Sequence, residues 1–274
     1  MYHTSSFPIG GTYRNKADTY KTAVKTNLSY FDSYWKDNPA DSTEGYFTFA
    51  YGSPIWADGA DEPINRLAAI GMAYLYINHS EPDAVYAERA SKLANLFKQD
   101  LEVRSVTIGS TSYDYYYWTY WDRDLPGYNG WTTSAGVSSN TKSFAGYKVA
   151  EDVSHAYLDL NFAILSYKYQ LNVVNTTTPV FNLTDMQRFA NNFTKKIILS
   201  DGKMSSDVIG NGVNANYTSE WLLLSEFDPE VYNKMKDIVD QRDYTGATTA
   251  LRMSALMNWA KPPVVLEAET LPGR

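Results

Sequence analysis

A histidine and two carboxylates directly follow an unusually aromatic part of this sequence. Residues 113–131 read YDYYYWTYWDRDLPGYNGW, and Glu151, Asp152 and His155 come soon after them. Histidine side chains exchange protons near neutral pH, so His155 is a candidate general base. Asp152 is a good N-cap for the apolar helix pattern that continues to Tyr169. The start of this helix, facing many Tyr and Trp rings, is the predicted site.

These residue types suit the β-elimination of a uronic-acid polymer. Such a reaction needs a base for the C5 proton, an acid for the leaving oxygen and a group that neutralises the substrate carboxylate. We expect His155 to be the base, with Tyr117 or Tyr120 as the acid. Arg123 would hold the carboxylate, with Asn129, Asn214 or the amides at the helix start as alternatives.

A hydrolase would instead use a pair of carboxylates about 5–10 Å apart, one with a raised pKa. The sequence offers many candidates: Asp61, Glu62, Asp122, Asp124, Glu151, Asp152 and Glu220.

Exposed aromatic rings stack on sugars, which favours a glycan cleft over an inert rim. The candidate substrate-binding residues outside the acidic set are Trp56, Tyr116, Trp118, Trp121, Trp131, Asn214 and Tyr217. Simpler explanations remain open, because Asp61 and Asp152 are also typical helix caps and His155 could be a hydrogen-bonded core histidine. A non-catalytic glycan-binding module, in which rings stack on sugars, is therefore a third hypothesis.

Apolar spacing predicts eight helices and little strand, which indicates an all-α fold. The stretch 44–56 is predicted as a loop or short strand. The predicted helices cover 17–35, 61–77, 83–101, 152–169, 184–199, 221–227, 230–241 and 247–259.

The predicted helices fall into two classes, which indicates an incomplete (α/α) toroid of about four hairpins over residues 1–260. The second, fourth and eighth are apolar around much of their circumference, whereas the third, fifth and seventh have one polar face. Long loops precede three of these helices. The loop at 38–60 comes before the second helix, the loop at 105–148 before the fourth and the loop at 203–216 before the sixth. We expect these loops to gather at one end and form the cleft.

The sequence also resembles a known superfamily. The string EDVSHA at 151–156, the string WLLLSEFDP at 221–229 and the aromatic loops between helical hairpins resemble the six-hairpin glycoside hydrolases and polysaccharide lyases. The resemblance implies a secreted or periplasmic enzyme that acts on a polysaccharide or oligosaccharide.

Composition excludes several classes of function. The formal net charge is -7 with no Lys/Arg cluster, which argues against nucleic-acid binding and also counts against a polyanionic substrate. No apolar run is long enough to span a membrane. There is no cysteine, and the three histidines show no paired spacing, so we expect no metal and no cofactor. Asp122 and Asp124 could bind Ca²⁺, although their spacing matches no EF-hand loop.

The two ends suggest a longer parent protein. The first residues show no signal-peptide pattern, which suggests that a leader was removed. Residues 261–274 are predicted as a linker and short strand, and the EAE string at 267–269 resembles the opening strand of β-sandwich carbohydrate-binding modules.

Overall fold

The computed structural model describes residues 10–214 and 219–240, and the chain divides into two compact units. Unit 1 comprises residues 1–102 and 117–182, and unit 2 comprises residues 103–116 and 183–274. Each unit therefore contains two separate stretches of sequence.

Unit 1 is built mainly from helices. They are α1 (Thr12–Tyr30), α2 (Ile64–Ser80), α3 (Ala84–Asp100), the short α4 (Pro126–Asn129) and α5 (Ala156–Lys168). A 3-10 turn at Phe31–Tyr34 follows α1. The helix α2 packs against both α3 and α5, so it lies at the centre of the helical layer.

Local sequence explains how these helices start and how closely they pack. Asp83 caps α3 by accepting hydrogen bonds from the amides of Val85 and Tyr86, at 2.9 and 3.2 Å. Gly71 of α2 lets α5 approach closely, because a Cβ at this position would lie 2.4 Å from Cζ of Phe162. The residues of α5 that point inward, including Leu160 and Phe162, are almost fully buried.

A short antiparallel sheet completes the described part of unit 1. Strand β1 (Trp35–Asp37) pairs with β2 (Gly45–Phe47), with Trp35 opposite Phe47 and Asp37 opposite Gly45. An isolated bridge between Thr48 and Asp61 continues the pairing beyond β2. This bridge places Asp61 just before the first turn of α2.

Unit 2 combines a β-hairpin with helices. Strands β3 (Glu102–Ile108) and β4 (Thr111–Tyr117) pair with each other, and only their outermost residues, Glu102 and Tyr117, belong to unit 1. Helix α6 (Leu183–Asn192) continues into one π-helical turn at Phe193–Ile197, and a 3-10 helix at Ser219–Glu226 precedes α7 (Pro229–Asp240). The side-chain amide of Asn192 donates to the backbone carbonyls of Tyr116 and Val208. The first of these hydrogen bonds joins α6 to β4.

The all-α prediction, with its incomplete toroid, is wrong. In the part of the chain that the structure describes, about 49% of the residues are helical and 14% are in strands, with two small antiparallel sheets, so the content is mixed α and β. Residues 105–117 were predicted as part of the long loop at 105–148, yet they belong to the hairpin of β3 and β4. Their many Val, Ile, Thr and Tyr residues favour strands, and Gly109, with a φ of +63°, supplies the turn.

Several predicted helix boundaries also differ from the structure. The helix predicted at 17–35 ends at Tyr30, and Trp35 lies in β1. The helix predicted from Asp152 begins at Ala156, because a capped turn takes up the preceding residues. Most of the segment predicted at 221–227 belongs to the 3-10 helix at Ser219–Glu226, and the helix predicted at 247–259 lies outside the described residues.

The described helices include none that combines the length and the apolar character needed to cross a membrane.

Candidate functional site

Unit 1 contains an open cleft of about 740 Å³ in which several of the predicted site residues meet. The cleft lining includes the predicted residues Trp56, Tyr120, Trp121, Asp152 and His155. Further lining residues are Phe49, Ile55, Ala57, Pro63, Arg66, Phe144, Tyr147, Val149 and Ala150.

Backbone pairing brings the aromatic loop next to the start of α5. Thr119 and Ala150 form an antiparallel bridge. The backbone amide of Tyr120 donates to the carbonyl of Val149, and the backbone amide of Glu151 donates to the carbonyl of Trp118. The carbonyl of Tyr120 in turn accepts from the amide of Ile64, the first residue of α2. The side chain of Tyr120 is therefore fixed between two helix starts.

Asp152 orients the imidazole of His155. Its Oδ2 lies 2.5 Å from Nδ1 of His155, and its Oδ1 accepts from the amides of Ser154 and His155. Burial raises the pKa of Asp152, but the hydrogen bonds from His155 and Ser154 outweigh it and hold that pKa below its usual value. The ionised carboxylate favours the proton on Nδ1, which leaves Nε2 as the basic atom of a half-exposed ring.

Tyr120 lies beside this imidazole and remains protonated at neutral pH. Its ring meets that of His155 edge-on, with centroids 6.0 Å apart. Burial is the main cause that raises the pKa of Tyr120, and the negative charges of Glu151 and Asp152 raise it further. A neutral hydroxyl is what a proton donor requires.

Glu151 and Asn65 form a buried layer beneath these two side chains. Burial, together with the charges of Asp159 and Asp152, raises the pKa of Glu151 well above its usual value. One of its oxygens accepts from the backbone amide of Asp152 at 2.8 Å, and the other has no hydrogen-bond partner among the described residues. The side-chain amide of Asn65 is near enough to lower the pKa of both Tyr120 and Glu151, although its nitrogen makes no hydrogen bond of ordinary geometry within the same described ranges.

Arg66 brings a positive charge to the cleft. Its guanidinium donates to the buried carboxylate of Glu62 at 3.0 Å and lies 4.9 Å from the ring centre of Phe49. More than half of the side chain is nevertheless exposed. Arg66 can therefore meet an anionic ligand while Glu62 holds it in position.

An aromatic wall forms another part of the cleft. Trp56 is 48% exposed, and its ring stacks on the buried Trp131 with an interplanar angle of 11°. Trp121 meets Trp56 at a steep angle and also lines the cleft. The exposed face of Trp56 is thus supported from behind, as a sugar-stacking ring should be.

Other predicted residues of unit 1 have structural contacts outside the cleft lining. Trp118 is buried and donates to Asp159 at 3.0 Å. Arg123 donates to Asp100 at 2.9 Å, and its guanidinium lies 5.9 Å from the ring centre of Tyr117. The remaining two are Asp122, which is buried and accepts from the amide of Asp124, and Asp124, which is exposed.

Asp61 and the described members of the predicted set in unit 2 do not line the cleft either. Asp61 is buried, accepts from the amide of Gly127 at 2.7 Å and lines a different cavity. Tyr116 donates to Asp185 inside unit 2, and the backbone of Asn214 donates to Met204. Glu220 is exposed on a 3-10 helix of unit 2, and Tyr217 lies outside the described residues.

Glu151, Asp152 and His155 could together hold a metal ion. Each offers one ligand atom, and the three atoms lie within 4.8 Å of one another. The sequence prediction of no metal did not consider this set, because its ligands are spaced differently from a paired-histidine motif. The hydrogen bond between Asp152 and His155 satisfies two of the three groups without an ion.

Sequence reasoning missed Asn65 and Arg66. Both lie in the first turn of α2, after Ile64 and the predicted helix start at Asp61, Glu62 and Pro63. A signal was present, since Arg66 stands four residues after Glu62, the spacing at which side chains meet on one helix face. The backbone contact of Tyr120 with Ile64, which brings this turn to the cleft, could not be seen in the sequence.

No protein-family model matches this chain, and the searches of curated proteins and of solved structures also returned no match.

Proposed function

We propose that this protein is a polysaccharide lyase that cleaves a uronic-acid-containing glycan by β-elimination. One observation carries the proposal: in one open cleft, an imidazole oriented by a carboxylate lies beside a protonated tyrosine and an exposed tryptophan. A base, an acid and a stacking surface are thus in reach of one bound ligand.

In this mechanism, Nε2 of His155 removes the C5 proton of the uronate. The electrons of the C5–H bond form the C4–C5 double bond, and the C4–O bond breaks. The hydroxyl of Tyr120 then donates its proton to the leaving oxygen. Tyr120 starts in the protonated state that this step requires, because burial raises the pKa of its hydroxyl.

The substrate carboxylate must be neutralised for the C5 proton to become acidic. Arg123 was the sequence-based candidate, but its guanidinium is paired with Asp100 and Glu102. Arg66 lines the cleft and is more than half exposed, so we assign this role to Arg66. The side-chain amide nitrogen of Asn65, which lies close to Tyr120, is a second candidate donor.

The test is incubation with a panel of acidic and neutral polysaccharides. We expect new ultraviolet absorbance with an acidic polymer, because β-elimination leaves an unsaturated uronate. New reducing ends without this absorbance would instead indicate a glycoside hydrolase, and binding without products would indicate a glycan-binding module. The assay is repeated after chelation, since loss of activity would show that a metal ion takes part, for which Glu151, Asp152 and His155 are the candidate ligands.

A further inference from the structure

A second cavity, of about 490 Å³, lies in unit 1 and shares the ring of Phe49 with the cleft. Three tyrosines line it, namely Tyr34, Tyr46 and Tyr51. Tyr51 is 65% exposed, so its ring is available to a ligand. The function proposed above does not use this cavity.

Asp61 gives the cavity wall a polar group that lacks a partner. Only 1% of the residue is exposed, and its Oδ1 accepts from the amide of Gly127. Its Oδ2 is buried and has no hydrogen-bond partner in the described part of the chain. An unsatisfied buried oxygen is destabilising, and a bound hydroxyl that donates to it would remove that cost.

The backbone holds Asp61 firmly at this wall. The amide of Glu62 donates to the carbonyl of Phe47, and Thr48 and Asp61 form an antiparallel bridge. Burial raises the pKa of Asp61 to about 7, so near neutral pH this carboxyl is often protonated and able to donate a hydrogen bond.

Lys36 adds a positive charge to the same cavity. Its side chain is exposed, and its backbone lies opposite Tyr46 in the β1–β2 ladder. The side chain makes no ion pair with the residues described. The cavity therefore offers a cation, a carboxyl group and phenol rings, a combination that suits an acidic sugar.

We propose that this second cavity binds another sugar unit of the same acidic polysaccharide, with Tyr51 stacking on the ring, Lys36 holding its carboxylate and Asp61 bonding a hydroxyl. The class of ligand rests on the proposed function. Phe49 contributes to both cavities, so a chain that passes this ring would occupy the cleft and the second cavity together.

Amide chemical shifts can report the two cavities separately. Galacturonate, mannuronate and glucuronate tetramers are titrated into the His155→Ala full-length protein, which should not turn them over. Gly59 and Gly136 report the second cavity, and Ala150 reports the cleft. We expect both sets of signals to shift with one of the tetramers.

Variants then test the assigned contacts. Tyr51→Ala and Lys36→Gln should each weaken tetramer binding roughly tenfold, the loss typical of one stacking or charged contact. The signals of Gly59 and Gly136 should then shift less at a given ligand concentration. Tyr20→Ala is the matched control, because Tyr20 is 68% exposed and lines neither cavity.

The outcomes separate this proposal from the lyase proposal. Shifts at Gly59 and Gly136 without shifts at Ala150 would support the second cavity and contradict the use of the cleft. Turnover of an acidic polymer while Gly59 and Gly136 stay unshifted would leave the lyase intact and overturn the second site. Unshifted glycine signals with all three tetramers would overturn it as well.

Discussion

His155 is the residue on which the proposed chemistry depends most. Its side chain is 52% exposed, so it contributes little packing energy to the fold. We expect His155→Ala to reduce lyase turnover by at least two orders of magnitude, the usual contribution of a general base, and to shift the melting temperature by only a few degrees.

A matched control is available for this substitution. His79 is also exposed, stacks on Tyr169 with centroids 4.6 Å apart and does not line the cleft. His79→Ala should keep full activity. Comparable kcat/KM values for the wild-type protein and His155→Ala would contradict the assignment of the base.

Asp61 should make stability depend on pH. Its pKa rises from about 3.9 in an unfolded chain to about 7 in the folded protein. Between these values the folded state binds more protons, so this group lowers the free energy of unfolding as pH rises, by about 1 kcal/mol per pH unit. Above pH about 7 its effect is constant.

Asp61→Asn removes this contribution while keeping an oxygen for the amide of Gly127. We expect the melting temperature of the variant, relative to that of the wild-type protein, to be higher at pH 8 than at pH 5. The measurement is thermal unfolding followed by circular dichroism at both pH values. If the melting temperatures of the variant and the wild-type protein differ by the same amount at pH 5 and at pH 8, Asp61 is already ionised in the folded protein at pH 5.

At the residue scale, the sequence predicted side chains that come from one continuous stretch better than those that come from distant ones. Tyr120, Asp152 and His155 were predicted because the aromatic loop leads directly into the helix. Arg66 was missed because its approach to the cleft depends on a contact between Ile64 and Tyr120, 56 residues apart in the chain. Arg123 was chosen instead, because its pairing with Asp100, which is 23 residues away in the chain, could not be seen in the sequence either.

At the element scale, α2 and α5 form the packed support of the cleft, and Gly71 determines how closely they approach. An added Cβ would lie 2.4 Å from Cζ of Phe162, so one helix or the ring must move. We expect Gly71→Ala to cost about 1–3 kcal/mol in chemical denaturation, despite the better helix propensity of Ala.

A double-mutant cycle can show that this contact is the cause. Phe162→Leu alone should destabilise the protein by leaving space in the core. In the double variant the added methyl group would fill part of that space. The double variant should therefore lose less stability than the sum of the losses of the two single variants. Simple additivity would mean that Gly71→Ala acts on the backbone instead.

Helices with strong apolar patterns were predicted within a few residues, whereas short strands were not. The helix predicted at 83–101 corresponds to α3, because Asp83 provides a clear cap and the apolar spacing is regular. The strands β3 and β4 were missed because most of their side chains are exposed or only partly buried, so their sequence shows no clear alternation of apolar and polar residues despite a composition that favours strands. Two short hairpins were enough to make an all-α class wrong.

At the scale of the whole molecule, the net charge of -7 opposes the approach of an acidic substrate, but the local charge of the cleft decides whether one binds. Salt screens exposed charges beyond about 8–10 Å, so a distant carboxylate has little effect on a ligand next to Arg66. The position of a charge should therefore matter more than the total.

Two substitutions that change the net charge equally can test this. Arg66→Gln and Lys21→Gln each take the formal charge from -7 to -8, but Lys21 pairs with Glu81 and does not line the cleft. We expect Arg66→Gln to lower kcat/KM on an acidic polymer at least tenfold, because a charged contact to substrate is lost, and Lys21→Gln to leave it unchanged. Equal losses would show that the overall field governs binding, and Arg66 would then have no special role in holding the substrate carboxylate.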